Sequence, residues 1–222
     1  MLQESNKNER FMNLKRLLCI LMAVAMVAAV QAKKVKVTID GKVSPSQTKL
    51  YLIINEDTAN AQLLPIKDAS FSVTIKVDRD AFIRLHDYKD WPERSAFVLI
   101  PDSKHITINW NTGKITGSEH SLKLQTVCHD IRRAGPEGFH IDVFSEDPEA
   151  WKAAREQERA IRNSMLEEQK SIAKQQMLEN KNDIIGAWIV YCFPELLEGE
   201  LNDIIGHMKP KWVNHPILKK KD

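Results

Sequence analysis

The stretch Ser70-Phe71-Ser72-Val73-Thr74-Ile75-Lys76-Val77 decides the fold class. Phe71, Val73, Ile75 and Val77 occupy every second position with polar residues between them, the period of a strand with one buried and one solvated face. Working back from it, Asp68-Ala69-Ser70 reads as a hairpin turn to a strand at 62–66. Earlier strands are predicted at 49–54 and at 34–39, where Val35, Val37 and Ile39 alternate with lysines and a threonine before Asp40-Gly41 turns the chain. Working forward, strands are predicted at 82–85, 96–100 and 106–110, and Asn111-Thr112-Gly113 leads into a short one at 114–116. Seven to eight short strands with no helix between them argue for an α+β chain that opens with an antiparallel β-sandwich or barrel-like domain, over 33–117.

The period changes at Gly117-Ser118. Ser118 is a good N-cap, and Leu124, Val127, Cys128 and Ile131 then share one helical face. Residues 118–222 are read as a helical region with helices near 118–134, 148–180, 183–193 and 194–208. Asp147-Pro148-Glu149 supplies a capping acid, a proline at the first position and a second acid in the first turn. Trp151, Ala154, Ile161, Met165 and Ile172 give the long helix its apolar stripe. Trp151, Trp188 and Trp212 are read as core or inter-helix anchors.

Residues 1–32 differ in kind. Lys15-Arg16 precedes an apolar run over 17–30, and Val30-Gln31-Ala32 places small residues where a signal peptidase cuts. This reads as a secretory signal peptide, too short to span a bilayer, with a mature chain beginning near Lys33. Translation starting at Met12 would leave the same signal. The leader takes four of the 32 basic and two of the 30 acidic residues, so the remainder carries 28 of each. A balanced chain gives no electrostatic reason to expect nucleic acid as a partner.

The run from Val37-Thr38-Ile39-Asp40-Gly41, through Lys49-Leu50-Tyr51-Leu52 and Ala69-Ser70-Phe71-Ser72-Val73, to Ile115-Thr116-Gly117-Ser118 resembles the module called domain of unknown function 4369. Asn182-Asp183-Ile184-Ile185-Gly186-Ala187-Trp188 and Asn214-His215-Pro216 resemble the helical connector that follows that module. Such modules occur in exported proteins of Bacteroides-type bacteria, ahead of a thioredoxin-like domain with a C-x-x-C site. No such motif is present here, so no catalytic residue is carried over. The resemblance implies an exported, non-catalytic accessory domain, acting alone or with a separately encoded thioredoxin-like or envelope protein, or left from a longer gene.

No nucleophile elbow, phosphate-binding loop, zincin helix or EF-hand loop occurs, and the reading is of a non-enzyme without cofactor or metal. His86-Asp87, His129-Asp130 and His140-Ile141-Asp142 set histidines beside carboxylates, but none has a second histidine at ligand spacing. Cys128 and Cys192 lie on separate predicted helices with inward faces. They stand either as a disulfide or as two buried thiols. Tyr88 and Trp91 place two aromatics in a loop, read either as a ligand contact or as rings folded on the sheet edge. Two functions follow as expectations: an extracytoplasmic, periplasmic protein-interaction domain near thiol-disulfide chemistry, or a sandwich that binds a small ligand or glycan.

Overall fold

The computed structural model describes residues 34–87, 97–142, 144 and 146–219. The leader at 1–32 and the aromatic pair Tyr88 and Trp91 lie outside the described residues. Eight strands come first: β1 (Lys34–Lys42), β2 (Tyr51–Ile54), β3 (Gln62–Leu63), β4 (Ser70–Asp78), β5 (Ile83–His86), β6 (Phe97–Leu99), β7 (His105–Asn109) and β8 (Lys114–Thr116). They form two four-stranded sheets, ordered β4-β1-β7-β8 and β3-β2-β5-β6. The helices follow: α1 (Glu119–Ala134), α2 (Pro148–Asn180), α3 (Ile184–Cys192), α4 (Leu201–Gly206) and α5 (Pro210–Val213). The chain is thus of mixed α+β class.

Alternation in β4 is visible as burial. Phe71 and Val77 are buried, Val73 and Ile75 half-buried, and Ser72, Thr74 and Lys76 face water. The inner faces of both sheets meet in one core, Val37, Ile39, Ile106 and Ile108 from the first sheet against Leu52, Leu85 and Leu99 from the second. One pairing departs from the antiparallel expectation: β1 and β7 run parallel, with Thr38 opposite His105 and Lys42 opposite Asn109. A parallel pair needs a long crossover. Here the whole second sheet lies between the two strands in sequence and supplies it.

At its centre the second sheet is buried on both sides, and every residue of β5 is buried, whereas the edge strand β3 is exposed. The outer face of this sheet carries the row Ile53, Arg84 and Val98, which are register partners and so point the same way. Helices cover that face, with Phe82, Ile100 and Val98 joining Leu124, Ile131, Ile185 and Trp188 in a second core. The layers are therefore sheet, sheet and helices. Strands and helices share this second core, so the break in period at Ser118 marks a change of structure within one packed body.

Two polar joints hold the helical layer in place. At the start of α1, the Ser118 hydroxyl accepts from the Ser121 amide and donates to the carbonyl of Ile100, while the Ile100 amide donates to Ser121 Oγ at 2.9 Å. Asp102 accepts from both the backbone N–H and the ring Nδ1 of His120, each at 2.9 Å. At the far end, His215 is 5 % exposed; its Nε2 donates to the carbonyl of Asp80 at 2.7 Å and its Nδ1 accepts from the Ile217 amide.

Helix α2 has 33 residues, about 50 Å of length. Asp147 caps it by accepting from the Glu149 amide. Only Ala173, Met177 and Asn180, near its end, are buried. Trp151 is 41 % exposed, whereas Trp188 and Trp212 are buried. The single helix expected over 194–208 is instead a 3-10 turn (Pro194–Leu197) and the short α4. Gly199, at φ 86, breaks it in the left-handed region that glycine adopts without steric cost. Among the described residues no helix is long and apolar enough to cross a membrane.

Candidate functional site

A charge at the centre of a buried sheet face demands a partner. Arg84 is 2 % exposed, and its Nη2 meets Glu56 Oε2 at 2.7 Å. Glu56 is held there by the turn after β2, where Asn55 and Glu56 take φ of 49 and 59. That conformation costs about 1–2 kcal/mol per residue relative to ordinary backbone. It is maintained by Asn55, whose amide donates to the carbonyl of Phe82 and whose Oδ1 accepts from the Phe82 amide. The turn is thus clamped to the start of β5 and aims Glu56 at Arg84.

This ion pair forms part of the lining of a cleft of about 1350 Å³ between the second sheet and the helices. One wall is α1, which presents two rows at i, i+4 spacing: Leu124, Cys128 and Arg132, and Gln125, His129 and Arg133. The facing wall comes from the strands: Phe97 and Val98 of β6, Trp110 and Ile115. Phe97 and Trp110 pack with ring centroids 4.9 Å apart. Trp188, Tyr191 and Cys192 of α3 complete it, and Arg132 lies 5.7 Å above the Phe193 ring.

Two groups of the cleft, Cys128 and Tyr191, are held in their protonated forms. Burial pushes the Cys128 thiol up to about 11, against the lowering effects of Arg132 and a hydrogen bond from Trp188. Burial also pushes the Tyr191 hydroxyl up to about 12, with Glu56 and Cys192 adding to it and Arg84 opposing. At neutral pH both are hydrogen-bonding groups and poor nucleophiles, since a thiol reacts as the thiolate. The cleft therefore offers aromatic surface, arginines and neutral donors, a combination suited to holding a ligand.

Cys128 and Cys192 are brought to this one cleft, Cys128 buried and Cys192 half-buried, and both stand as thiols with no disulfide between them. Of the histidine pairs, His86 is fully buried with Nδ1 3.3 Å from Asp87, whereas His129 and His140 pair with their neighbours in the open. Among the described residues no three histidine, cysteine or acidic side chains converge as metal ligands. Sequence reading missed the Glu56–Arg84 pair. Its one signal was an arginine between Ile83 and Leu85 in an otherwise apolar strand. A second hollow of about 450 Å³, lined by Pro194, Glu198 and Asn202 among others, has no aromatic lining. No family model, curated protein or solved structure matches the chain.

Proposed function

We propose that this chain is an exported, non-catalytic binding module that receives part of a partner protein in the cleft between its second sheet and its helices. The observation that carries the reading is the cleft itself. It combines aromatic rings, two exposed arginines and a buried ion pair, while its thiol and phenol are kept protonated by burial. A volume of about 1350 Å³ exceeds what a small ligand fills and accommodates a stretch of chain. The basic and apolar leader supports export, and the resemblance to modules that precede thioredoxin-like domains supports an extracytoplasmic partner of the thioredoxin-like or envelope kind.

The test is selection from a random-peptide display library on the purified protein, counter-screened against Arg132→Glu/Arg133→Glu. Both positions are exposed, so the exchange leaves the core intact. The proposal expects enriched peptides whose binding is lost in the double variant. Enrichment indifferent to that variant, or soluble oligosaccharides bound in the cleft where peptides are not, contradicts it and favours the glycan-binding reading.

A further inference from the structure

The first sheet ends at β4, a nine-residue strand without a proline. Two contacts fix its register beside β1: the Val43 amide donates to the carbonyl of Ala69 at 2.9 Å, and the Thr38 and Thr74 hydroxyls meet at 2.9 Å. The two strands therefore run antiparallel, with the backbone groups of odd-numbered β4 residues turned to β1 and those of even-numbered ones turned outward. Of the outward residues, Ser70 is taken up by the hairpin, where its amide and carbonyl pair with Lys67, and the Asp78 carbonyl accepts from the Ala81 amide. Among the described residues the backbone amides and carbonyls of Ser72, Thr74 and Lys76 meet no partner.

Such an edge is a template for a further strand, and this one is self-complementary. A second β4 laid antiparallel about a two-fold axis at Thr74 sets Thr74 opposite Thr74 and Ser72 opposite Lys76. Every free group then finds its counterpart, and pairing stops where Ser70 and Asp78 are already engaged. Lys76 faces a serine in that register. Sliding the copies to centre on Lys76 would set two like charges opposite each other and carry Ser72 beyond the strand's end. On the inner face Val73 of one copy comes opposite Ile75 of the other; both are only half-buried in the single chain, between buried Phe71 and Val77.

We infer that two copies of this chain associate through β4, joining their first sheets into one continuous sheet across a two-fold axis. No residue of β4 lines the cleft, and Ile115, which does, lies in β8 at the opposite edge of the same sheet. The dimer therefore leaves both clefts open, one on each flank, and makes the assembly bivalent. The inference goes beyond the binding reading above and stands without it, since it rests on the backbone groups of β4 alone.

The test is sedimentation equilibrium of the purified protein, with variants that leave the backbone bonds of the single chain in place. A dimer in concentration-dependent exchange with monomer is expected. Thr74→Pro deletes an amide that only the second copy uses, at an edge position that tolerates proline, and should weaken association at least about tenfold. Ser72→Lys sets a lysine opposite Lys76 and should weaken the dimer, whereas Ser72→Glu should tighten it; this pair decides the matter if Thr74→Pro fails to fold. Thr74→Cys should cross-link two copies on oxidation beyond the level of the unsubstituted protein. Ser72→Cys should not, because the two copies of that residue stand about 13 Å apart along the paired strands. A monomer up to about 100 μM, a dimer indifferent to these exchanges, or equal cross-linking at positions 72 and 74 overturns the inference. Slow exchange of the Ser72, Thr74 and Lys76 amides only when another protein is added assigns the edge to a foreign strand and overturns it as well.

Discussion

Replacing Glu56 by Gln removes one charge of a pair whose side chains are 9 % and 3 % exposed, and leaves the Arg84 charge in the same place. Surface pairs contribute about 0–1 kcal/mol, so a solvated bridge would scarcely register the change. Breaking a buried pair costs about 3–5 kcal/mol, because one ion remains desolvated without its counter-charge. The Glu56–Arg84 distance of 2.7 Å and the low exposure of both groups place it in the second class. For a protein of this size that loss lowers Tm by about 6–20 °C. Urea denaturation of Glu56→Leu, Arg84→Met and the combined Glu56→Leu/Arg84→Met closes a double-mutant cycle. The combined variant should recover most of the loss, since a well-packed apolar pair replaces both ions. Tyr191 gives a second readout: without Glu56 nearby, its ionisation should fall from about 12 toward the ordinary tyrosine value in an ultraviolet titration. A loss below about 1 kcal/mol, or strictly additive single effects, would refute the claim that this pair is buried and coupled.

Three further outcomes follow. Burial holds the His215 pKa below its usual 6.5, against the raising effect of Asp80, so the folded state disfavours protonation there. The stabilisation is complete above pH 6.5 and is lost as pH falls through the lower folded value. Urea midpoints for the protein and for His215→Gln should therefore converge on acidification, and parallel curves would contradict this. Cys128, raised to about 11, should resist alkylation at neutral pH until urea unfolds the chain, and the protein should not reduce insulin. Rapid native labelling of Cys128, or turnover lost on its mutation, would overturn that assignment. Mass spectrometry of secreted protein should find an N-terminus near Lys33, and retention of residues 17–30 would exclude cleavage there.

What was legible in the sequence was what is local. Alternation at Phe71 to Val77 marks a strand wherever it lies, and Ser118 and Asp147 announce helices by the hydrogen bonds they offer. Strand direction is not local: β1 and β7 alternate identically whether parallel or antiparallel, and only the path of the chain between them decides. The candidate site was hidden for the same reason. Arg84 reads as the solvent-facing residue of a strand, and becomes buried because residues 184–192, a hundred positions later, cover that face. Helical periodicity did turn Cys128 and Cys192 inward, yet it gave no sign that they meet Arg84 and Trp110 around one cleft. Position on an apolar stripe does not by itself fix burial either: Trp151 is 41 % exposed, while Met177 on the same helix is fully buried.

The central claim is that the cleft is where this protein binds, and tryptophan side chains report on it directly. Trp110 and Trp188 line the cleft, whereas Trp151 lies on the exposed start of α2. Titration of a display-selected peptide into ¹⁵N-tryptophan-labelled protein should shift the indole resonances of Trp110 and Trp188 saturably and leave that of Trp151 in place. Saturable binding that moves Trp151 while Trp110 and Trp188 stay fixed would contradict the account.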